Sequence, residues 1–347
     1  MGASAPQAPG LGELLALADE SEQRQWRDLP LGYAPSRGNG YLRSAIAASY
    51  PGLEADDILV FAGALEAIYV LFHVLLEPGD RVQIITPAFE PLAIVPQAMG
   101  AGLETIRMRP GDNGWQLDLA EWQDRLGPGT RVATINFPHN PTGAMIDAAQ
   151  LESMVECCAE QGCWLFSDEV FRGLEHHPGE GLPPVAGLYE KGVSLGTISK
   201  AHGLGGIRVG WIACRDRELL QRMLELKQFL SICNGQADEL LAAIALKRGE
   251  ALLEKNRRLV LSNLDYLESG LEASEAPLGW HRPQAGCVAY PELLAENSAR
   301  GFALRLLEHT GVMVVPGDCF LQGESHIRVG LGRQDFQAAF DRFLQFL

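Results

Sequence analysis

Between about residue 56 and residue 215, short apolar runs alternate with longer amphipathic stretches. Asp57-Ile58-Leu59-Val60-Phe61 reads as a strand, and Gly63 opens a helical pattern that continues to Leu76. Pro78-Gly79-Asp80 is a turn, and Arg81-Val82-Gln83-Ile84-Ile85 is the next strand. Arg131-Val132-Ala133-Thr134-Ile135, Trp164-Leu165-Phe166, Val193-Ser194-Leu195-Gly196-Thr197 and Val209-Gly210-Trp211-Ile212-Ala213 are further strand candidates. Helical patterns such as 150–160 separate some of them. Strands that are apolar almost throughout, alternating with helices, predict a mostly parallel α/β sheet covered on both faces.

The character of the chain changes at Asp216. Stretches 218–229 and 238–270 are rich in Leu, Ala, Glu and Arg and read as helices, the second long enough to join two domains. A smaller α+β segment follows, with strand candidates at Cys287-Val288-Ala289-Tyr290, Val312-Met313-Val314-Val315 and His326-Ile327-Arg328-Val329. A length of 347 residues also favours two domains over one core. No repeat, low-complexity tract or flexible linker stands out.

Composition narrows the function classes. Hydrophobic residues make up 47% and charged residues 21%, as in an ordinary globular protein. The net charge of -16 argues against nucleic acid as a partner, and against an anionic membrane surface. Local arginines can still build a positive pocket in this acidic body. The 7 cysteines are scattered without paired spacing, so neither a disulfide framework nor a zinc site is expected. Reduced thiols fit a cytoplasmic protein. The opening Met1-Gly2-Ala3-Ser4-Ala5-Pro6 has no apolar signal core and no myristoylation pattern, and no apolar run is long enough to span a bilayer.

Candidate chemistry lies after the predicted strands, where parallel sheets bind ligands. Lys200 follows Thr197-Ile198-Ser199, and Arg208 comes before the next apolar run. This order puts an amine nucleophile at the mouth of a sheet with an anion-binding group close by. Such a lysine could form a Schiff base with an aldehyde cofactor, or be a surface lysine beyond a strand. Asn140 lies in Asn136-Phe137-Pro138-His139-Asn140-Pro141-Thr142-Gly143, a loop stiffened by prolines. Its amide could donate to a phenolate-like oxygen or merely shape its own turn. Asp168 and Glu169 follow Trp164-Leu165-Phe166-Ser167. A carboxylate buried there needs a cation, which a pyridinium nitrogen would supply; the alternative is a helix cap. Gly63-Ala64-Leu65 offers backbone amides at a helix start, a favourable place for phosphate. Phe89 could stack on an aromatic cofactor or belong to the core.

Together these motifs resemble the fold-type I pyridoxal-phosphate enzymes, and within them the class I/II aminotransferases. Gly63-Ala64, Pro87-Ala88-Phe89, Asn140-Pro141-Thr142-Gly143, Asp168-Glu169, Ser199-Lys200, Arg208 and Arg328 occur in the family's order. Gly32-Tyr33-Ala34-Pro35-Ser36-Arg37-Gly38 with Leu42-Arg43 is similar to another segment of that family. The resemblance implies a three-layer α/β fold, with a mostly parallel seven-stranded sheet like that of aspartate aminotransferase and a smaller α+β domain. It implies a large pyridoxal-phosphate-binding domain at 40–240 and a small domain made of 1–39 and 241–347. Lys200 would form the Schiff base with pyridoxal 5'-phosphate and then shuttle the proton. Asp168 would pair with the pyridine nitrogen, Asn140 would bond the ring oxygen, and Phe89 would stack on the ring. The amides of Ala64 and Leu65, with Thr197, Ser199 and Arg208, would hold the phosphate. Tyr33 would reach the phosphate of the neighbouring subunit, which implies a homodimer. Arg328 would hold the substrate α-carboxylate through its bidentate fork.

The chain departs from the family pattern in places. Phe171 stands where the family usually has a tyrosine, three residues after the aspartate, so a phenol donor to the ring oxygen is missing. A charge-assisted donor of that kind is worth about 1.5–3 kcal/mol. Leu65 replaces a small or polar residue, which leaves a backbone contact only. The stretch before Tyr33 is short, so part of the substrate-covering arm is expected to be missing. The run from Ser167 to Glu175 and Ser231-Ile232-Cys233-Asn234 resemble a subgroup near capreomycidine synthase. The first expectation is amino transfer between an α-amino acid and a 2-oxo acid. Elimination, cyclisation or oxidation of an arginine-type amino acid is the alternative, and a non-catalytic ligand-sensing domain is a third reading.

Overall fold

The structure is a computed structural model that describes residues 1–111, 114–296 and 298–347. Its centre is a seven-stranded sheet. We number its strands β1 (Ile58–Phe61), β2 (Arg81–Thr86), β3 (Gly102–Arg107), β4 (Thr130–Asn136), β5 (Trp164–Asp168), β6 (Gly192–Thr197) and β7 (Gly210–Ala213). Their order across the sheet is β1-β7-β6-β5-β4-β2-β3. Pairing is parallel from β3 through β6, while β7 runs antiparallel to both of its neighbours. The mostly parallel α/β expectation therefore holds.

That one reversed strand matters for function. Strands β1, β4, β5 and β6 all end on one rim, and β7 begins there, with Phe61 and Thr197 both in register with Gly210. Arg208, just before β7, is thus delivered to the same rim as residues that follow the other strands. Asn136 and Asp168 are paired across β4 and β5, which sets the rim in line.

Strands β1 and β4–β6 are buried nearly throughout, which accounts for their continuous apolar runs. The sequence pattern passes over β3 because it is an edge strand, carrying Glu104 and Arg107 and mostly accessible. Helix Ala64–Leu75 packs with Phe72 edge-on to Phe166 at 5.6 Å between ring centroids. The other face is covered by Gln236–Arg248, which buries Glu239 through Ala245. The long helix expected at 238–270 is two helices, Gln236–Arg248 and Glu250–Ser274. They part at Gly249, where a Cβ would overlap the Ala245 carbonyl oxygen, so the chain needs glycine at this turn.

Beyond Ser274 a small sheet holds β8 (Val288–Ala289), β9 (Val315–Pro316) and β10 (Ile327–Gly330), with β10 in the middle and both pairings antiparallel. Its strands are shorter than the apolar runs suggested. Phe302, Phe336, Phe340 and Phe343 join its helices to the same continuous core that runs under the large sheet. Among the described residues no helix is long and apolar enough to cross a membrane.

Candidate active site

The rim of the large sheet is built from short-range hydrogen bonds. Asn136 at the end of β4 donates from Nδ2 to the Asp168 carbonyl at 2.8 Å, and its Oδ1 accepts from the Asn140 amide at 2.9 Å. One side chain thereby fixes both the aspartate strand and the asparagine loop. Sequence reasoning did not single out Asn136, although its place at a strand end is the available signal.

Asp168 is only 2% exposed, and its carboxylate accepts from the Val170 amide at 3.2 Å. Burial pushes its carboxyl up to about 7, against a partial opposing pull from that amide and from Lys200. A carboxylate in this position favours a cationic neighbour. Glu169 instead ties β5 to its surroundings, since its Oε1 accepts from Ser194 Oγ at 2.7 Å and from the Val185 amide at 3.0 Å. The alternative of a helix cap is thus realised at neither acid.

Lys200 is half-buried in the loop after β6. Thr197 Oγ1 donates to the Val209 carbonyl at 2.8 Å and accepts from the Ser199 amide at 3.2 Å, so the loop closes on itself. Asn256, from helix Glu250–Ser274, donates to the Ala201 carbonyl at 2.9 Å and holds the loop from below. Burial lowers the proton affinity of the Lys200 amine. Arg328 and Arg208 lower it further, while Cys287 and Asp168 oppose. An amine held this way is readied for nucleophilic work.

Gly63, Ala64 and Leu65 form the turn into helix Ala64–Leu75. Gly63 has φ of 93°, which favours glycine, and a Cβ there would lie 2.5 Å from Arg208 Nη2. The guanidinium of Arg208 therefore lies against the helix start, adding its charge to the free amides. Arg208 itself has φ of 52°, and Asn234 fixes it by donating to its carbonyl at 3.2 Å and to that of Phe61 at 2.8 Å. The Leu65 side chain is exposed, in keeping with a backbone-only role.

Arg328 on β10 is buried without a carboxylate partner among the described residues, so it is no surface ion pair. Its Nη1 donates to Asn140 Oδ1 at 3.0 Å, and its Nη2 to the Gly2 carbonyl at 3.1 Å, while Nε is buried with no partner. Phe320 lies 5.1 Å beneath the guanidinium. The Phe320 carbonyl accepts from the Ala88 amide at 2.9 Å, next to the half-buried Phe89. Because Asn140 accepts with Oδ1, its Nδ2 is the end left to donate. Tyr33 is elsewhere; it is 85% exposed, beside Leu31 and across a groove from Ser231 and Gln236.

The structure also shows what the sequence did not. Part of a covering arm was expected to be missing, yet residues 1–7 do run over the site, with Gly2 on Arg328 and Ser4 on Lys200. Gly330 and Gly332, two apart on one face, were the available signal of a close backbone approach. The residues fit pyridoxal phosphate. A buried carboxylate with a single amide suits a ring nitrogen, an undirected Asn140 Nδ2 suits a ring oxygen, and the Gly63–Arg208 cradle suits a phosphate.

Residues 16–341 match the family model described as aminotransferase class I and II. The chain is 32% identical to capreomycidine synthase of Streptomyces vinaceus, covering 92% of this chain and 81% of that protein. It is 31% identical to arginine–pyruvate transaminase AruH of Pseudomonas aeruginosa, over 86% of this chain and 77% of that one. A pyridoxal-phosphate-dependent aminotransferase from Streptococcus suis superposes with a TM-score of 0.91 at 29% identity, covering 100% of this chain and 92% of its own.

Proposed function

This chain belongs to the class I and II aminotransferase family and is a pyridoxal-phosphate-dependent aminotransferase, and on that premise we propose that Lys200 is the amine that carries the cofactor and shuttles the proton while the enzyme moves an amino group between an α-amino acid and a 2-oxo acid. The observation that carries this reading is the meeting of Lys200 and buried Asp168 at the rim of the large sheet with buried Arg328 from β10. When bound, pyridoxal phosphate supplies an aldehyde for the lysine and a ring that accepts electrons. Asp168 holds the ring nitrogen in its protonated form, and Asn140 Nδ2 donates to the ring oxygen. Phe89 packs on the ring. The amides of Ala64 and Leu65, the Ser199 hydroxyl and Arg208 would hold the phosphate, while Thr197, predicted to join them, spends its hydroxyl hydrogen on the Val209 carbonyl and shapes the loop instead.

Arg328 receives the substrate carboxylate on its fork, with Nε as the donor already without a partner. Lys200 Nζ would serve as the base that takes the proton from the substrate α-carbon and holds it for return. Burial and the two arginines lower its proton affinity, which favours the free base.

We divide the chain into a large domain at 40–240 and a small one made of 1–39 and 241–347. The enzyme is a cytoplasmic homodimer in this reading. Leu31 (88%), Tyr33 (85%) and Phe229 (87%) are far more exposed than large apolar side chains usually are. Leu31 and Tyr33 line a groove with Asn234, which holds Arg208, and a second copy seated there would bring its Tyr33 towards the phosphate cradle. The name of one relative, arginine–pyruvate transaminase, points to a substrate with an arginine-like side chain.

The decisive experiment is Lys200→Ala. The variant is expected to lose covalent attachment of the cofactor, seen by borohydride reduction and mass spectrometry, and to lose amino transfer by at least about a thousandfold. Attachment at full stoichiometry in the variant would remove Lys200 from this role. Assay of the unaltered enzyme with arginine and pyruvate should yield alanine and a keto acid; a cyclic or eliminated product would favour the alternative chemistry.

A further inference from the structure

Residues 1–7 form a strap whose seat is cut by glycines on both sides. The Gly330 amide donates to the Met1 carbonyl at 2.6 Å, and the Gln7 amide to the Gly332 carbonyl at 2.7 Å. A Cβ on Gly330 would overlap the Ala3 carbonyl oxygen, and one on Gly332 would sit 2.6 Å from Pro6 Cα. On the opposite side is Gly203, in the lysine loop, where a Cβ would lie 3.3 Å from the carbonyls of Pro6 and Gln7. The strap is therefore threaded between β10 and the loop that carries Lys200. Side chains at these positions would push it out.

Between its anchors the strap turns polar groups onto the site. The Gly2 carbonyl accepts from Arg328, and Ser4 Oγ accepts from Lys200 Nζ at 2.8 Å. Ser4 Oγ is the only hydrogen-bond partner of that amine among the described residues. We propose that Ser4 is a positioning residue for Lys200, fixing the amine at the substrate side of the site through its hydroxyl. This rests on the reading of Lys200 as the reactive amine.

The physical argument concerns a flexible stem. A lysine ammonium on four methylenes has many rotamers, and one well-placed acceptor selects among them. A hydroxyl can accept from the protonated amine and donate to the free one, so Ser4 serves both states. Accepting from the charged form favours that form. The other groups acting on the amine are Arg328 on β10, Arg208 before β7, Asp168 on β5 and Cys287 beside β8. Ser4 offsets part of the cost that burial and the two arginines impose on the ammonium.

The test compares Ser4→Ala with Ser4→Thr in the full chain. In cofactor-free protein, acetylation of Lys200 by acetic anhydride is followed against pH by peptide mass spectrometry. Ser4→Ala should move the profile to lower pH, so that below the midpoint Lys200 reacts about three- to tenfold faster than in the unaltered chain. Ser4→Thr should keep the original midpoint. In the holoenzyme, kcat for Ser4→Ala should fall while KM changes little. Gly330→Ala, which displaces the strap at Ala3, should reproduce the shift and serves in place of Ser4→Ala if that variant does not fold. Superimposable titrations for Ser4→Ala and the unaltered chain overturn the proposal. If Lys200→Ala still carries the cofactor covalently, the functional reading fails instead, whatever Ser4 does.

Discussion

The site has two halves that differ in how far along the chain their contacts reach. On the sheet rim, Asn136 fixes Asp168 across one strand pair and Asn140 within one loop, and Thr197 closes on Ser199 and Val209. On the other half, Arg328 depends on Asn140 and Gly2, and Lys200 depends on Ser4, contacts separated by 188, 326 and 196 residues. The rim is held by a buried ladder and cannot shift without breaking the sheet. The strap and β10 are held by the fit of segments distant in sequence. Damage to the rim, or to the Ser4 contact that positions its lysine, should therefore strike the chemistry, and damage to Arg328 should strike substrate hold.

Asp168→Asn tests the rim and should give the largest effect of the substitutions that leave Lys200 in place. Loss of the charge that keeps the ring nitrogen protonated should lower kcat by a hundredfold or more, on the order of other preorganised electrostatic contacts. The same substitution has a signature in cofactor-free protein. Burial raises the Asp168 carboxyl to about 7. The folded state then binds this proton more tightly than the unfolded one. Its contribution is fully present below the usual aspartate range and is lost as pH rises towards 7. Chemical denaturation of the cofactor-free protein should show that the unaltered chain loses stability over that window relative to Asp168→Asn. Parallel stability curves would mean that the carboxylate is better solvated than its burial indicates.

Arg328→Lys tests the other half. A lysine is a single point charge and cannot bond Asn140 while presenting a fork to a carboxylate. KM for amino acids should rise roughly ten- to hundredfold, the equivalent of one charge-assisted pair. Cofactor affinity should change little, because no rim contact is lost except the one to Asn140 Oδ1. A large loss of cofactor with KM intact would erase the distinction between the halves.

The same distinction explains what could be read from the sequence. Lys200, Asp168, Asn140 and Arg208 lie after or before apolar runs, and the parallel sheet converts that local pattern into one rim. The reversal of β7 left no local mark, yet Arg208 still reached the rim because it precedes its strand. Edge strand β3 escaped notice because Glu104 and Arg107 interrupt its apolar run. The strap was invisible for a deeper reason. Ser4 gains its meaning only when Gly203, Gly330 and Gly332 bring distant segments together, and a lone serine near a terminus says nothing of that.

Phe171 lies where the halves meet, and Phe171→Tyr should give the smallest effect while dividing them most finely. The residue is 1% exposed, and a Cβ added at Gly286 would lie 3.4 Å from its ring, so the ring packs over that glycine. A phenol here adds one buried hydroxyl. Without an acceptor, that group costs about 1–3 kcal/mol. Cofactor-free Phe171→Tyr should therefore melt a few degrees below the unaltered chain. If position 171 faces the ring oxygen beside Asn140, bound cofactor supplies the acceptor and the two melting curves converge. The kcat should then stay within about threefold, a contact worth well under 1 kcal/mol in the rate-limiting step. An equal deficit in loaded and cofactor-free protein would place Phe171 in the core alone, leaving Asn140 as the donor whose orientation Arg328 sets.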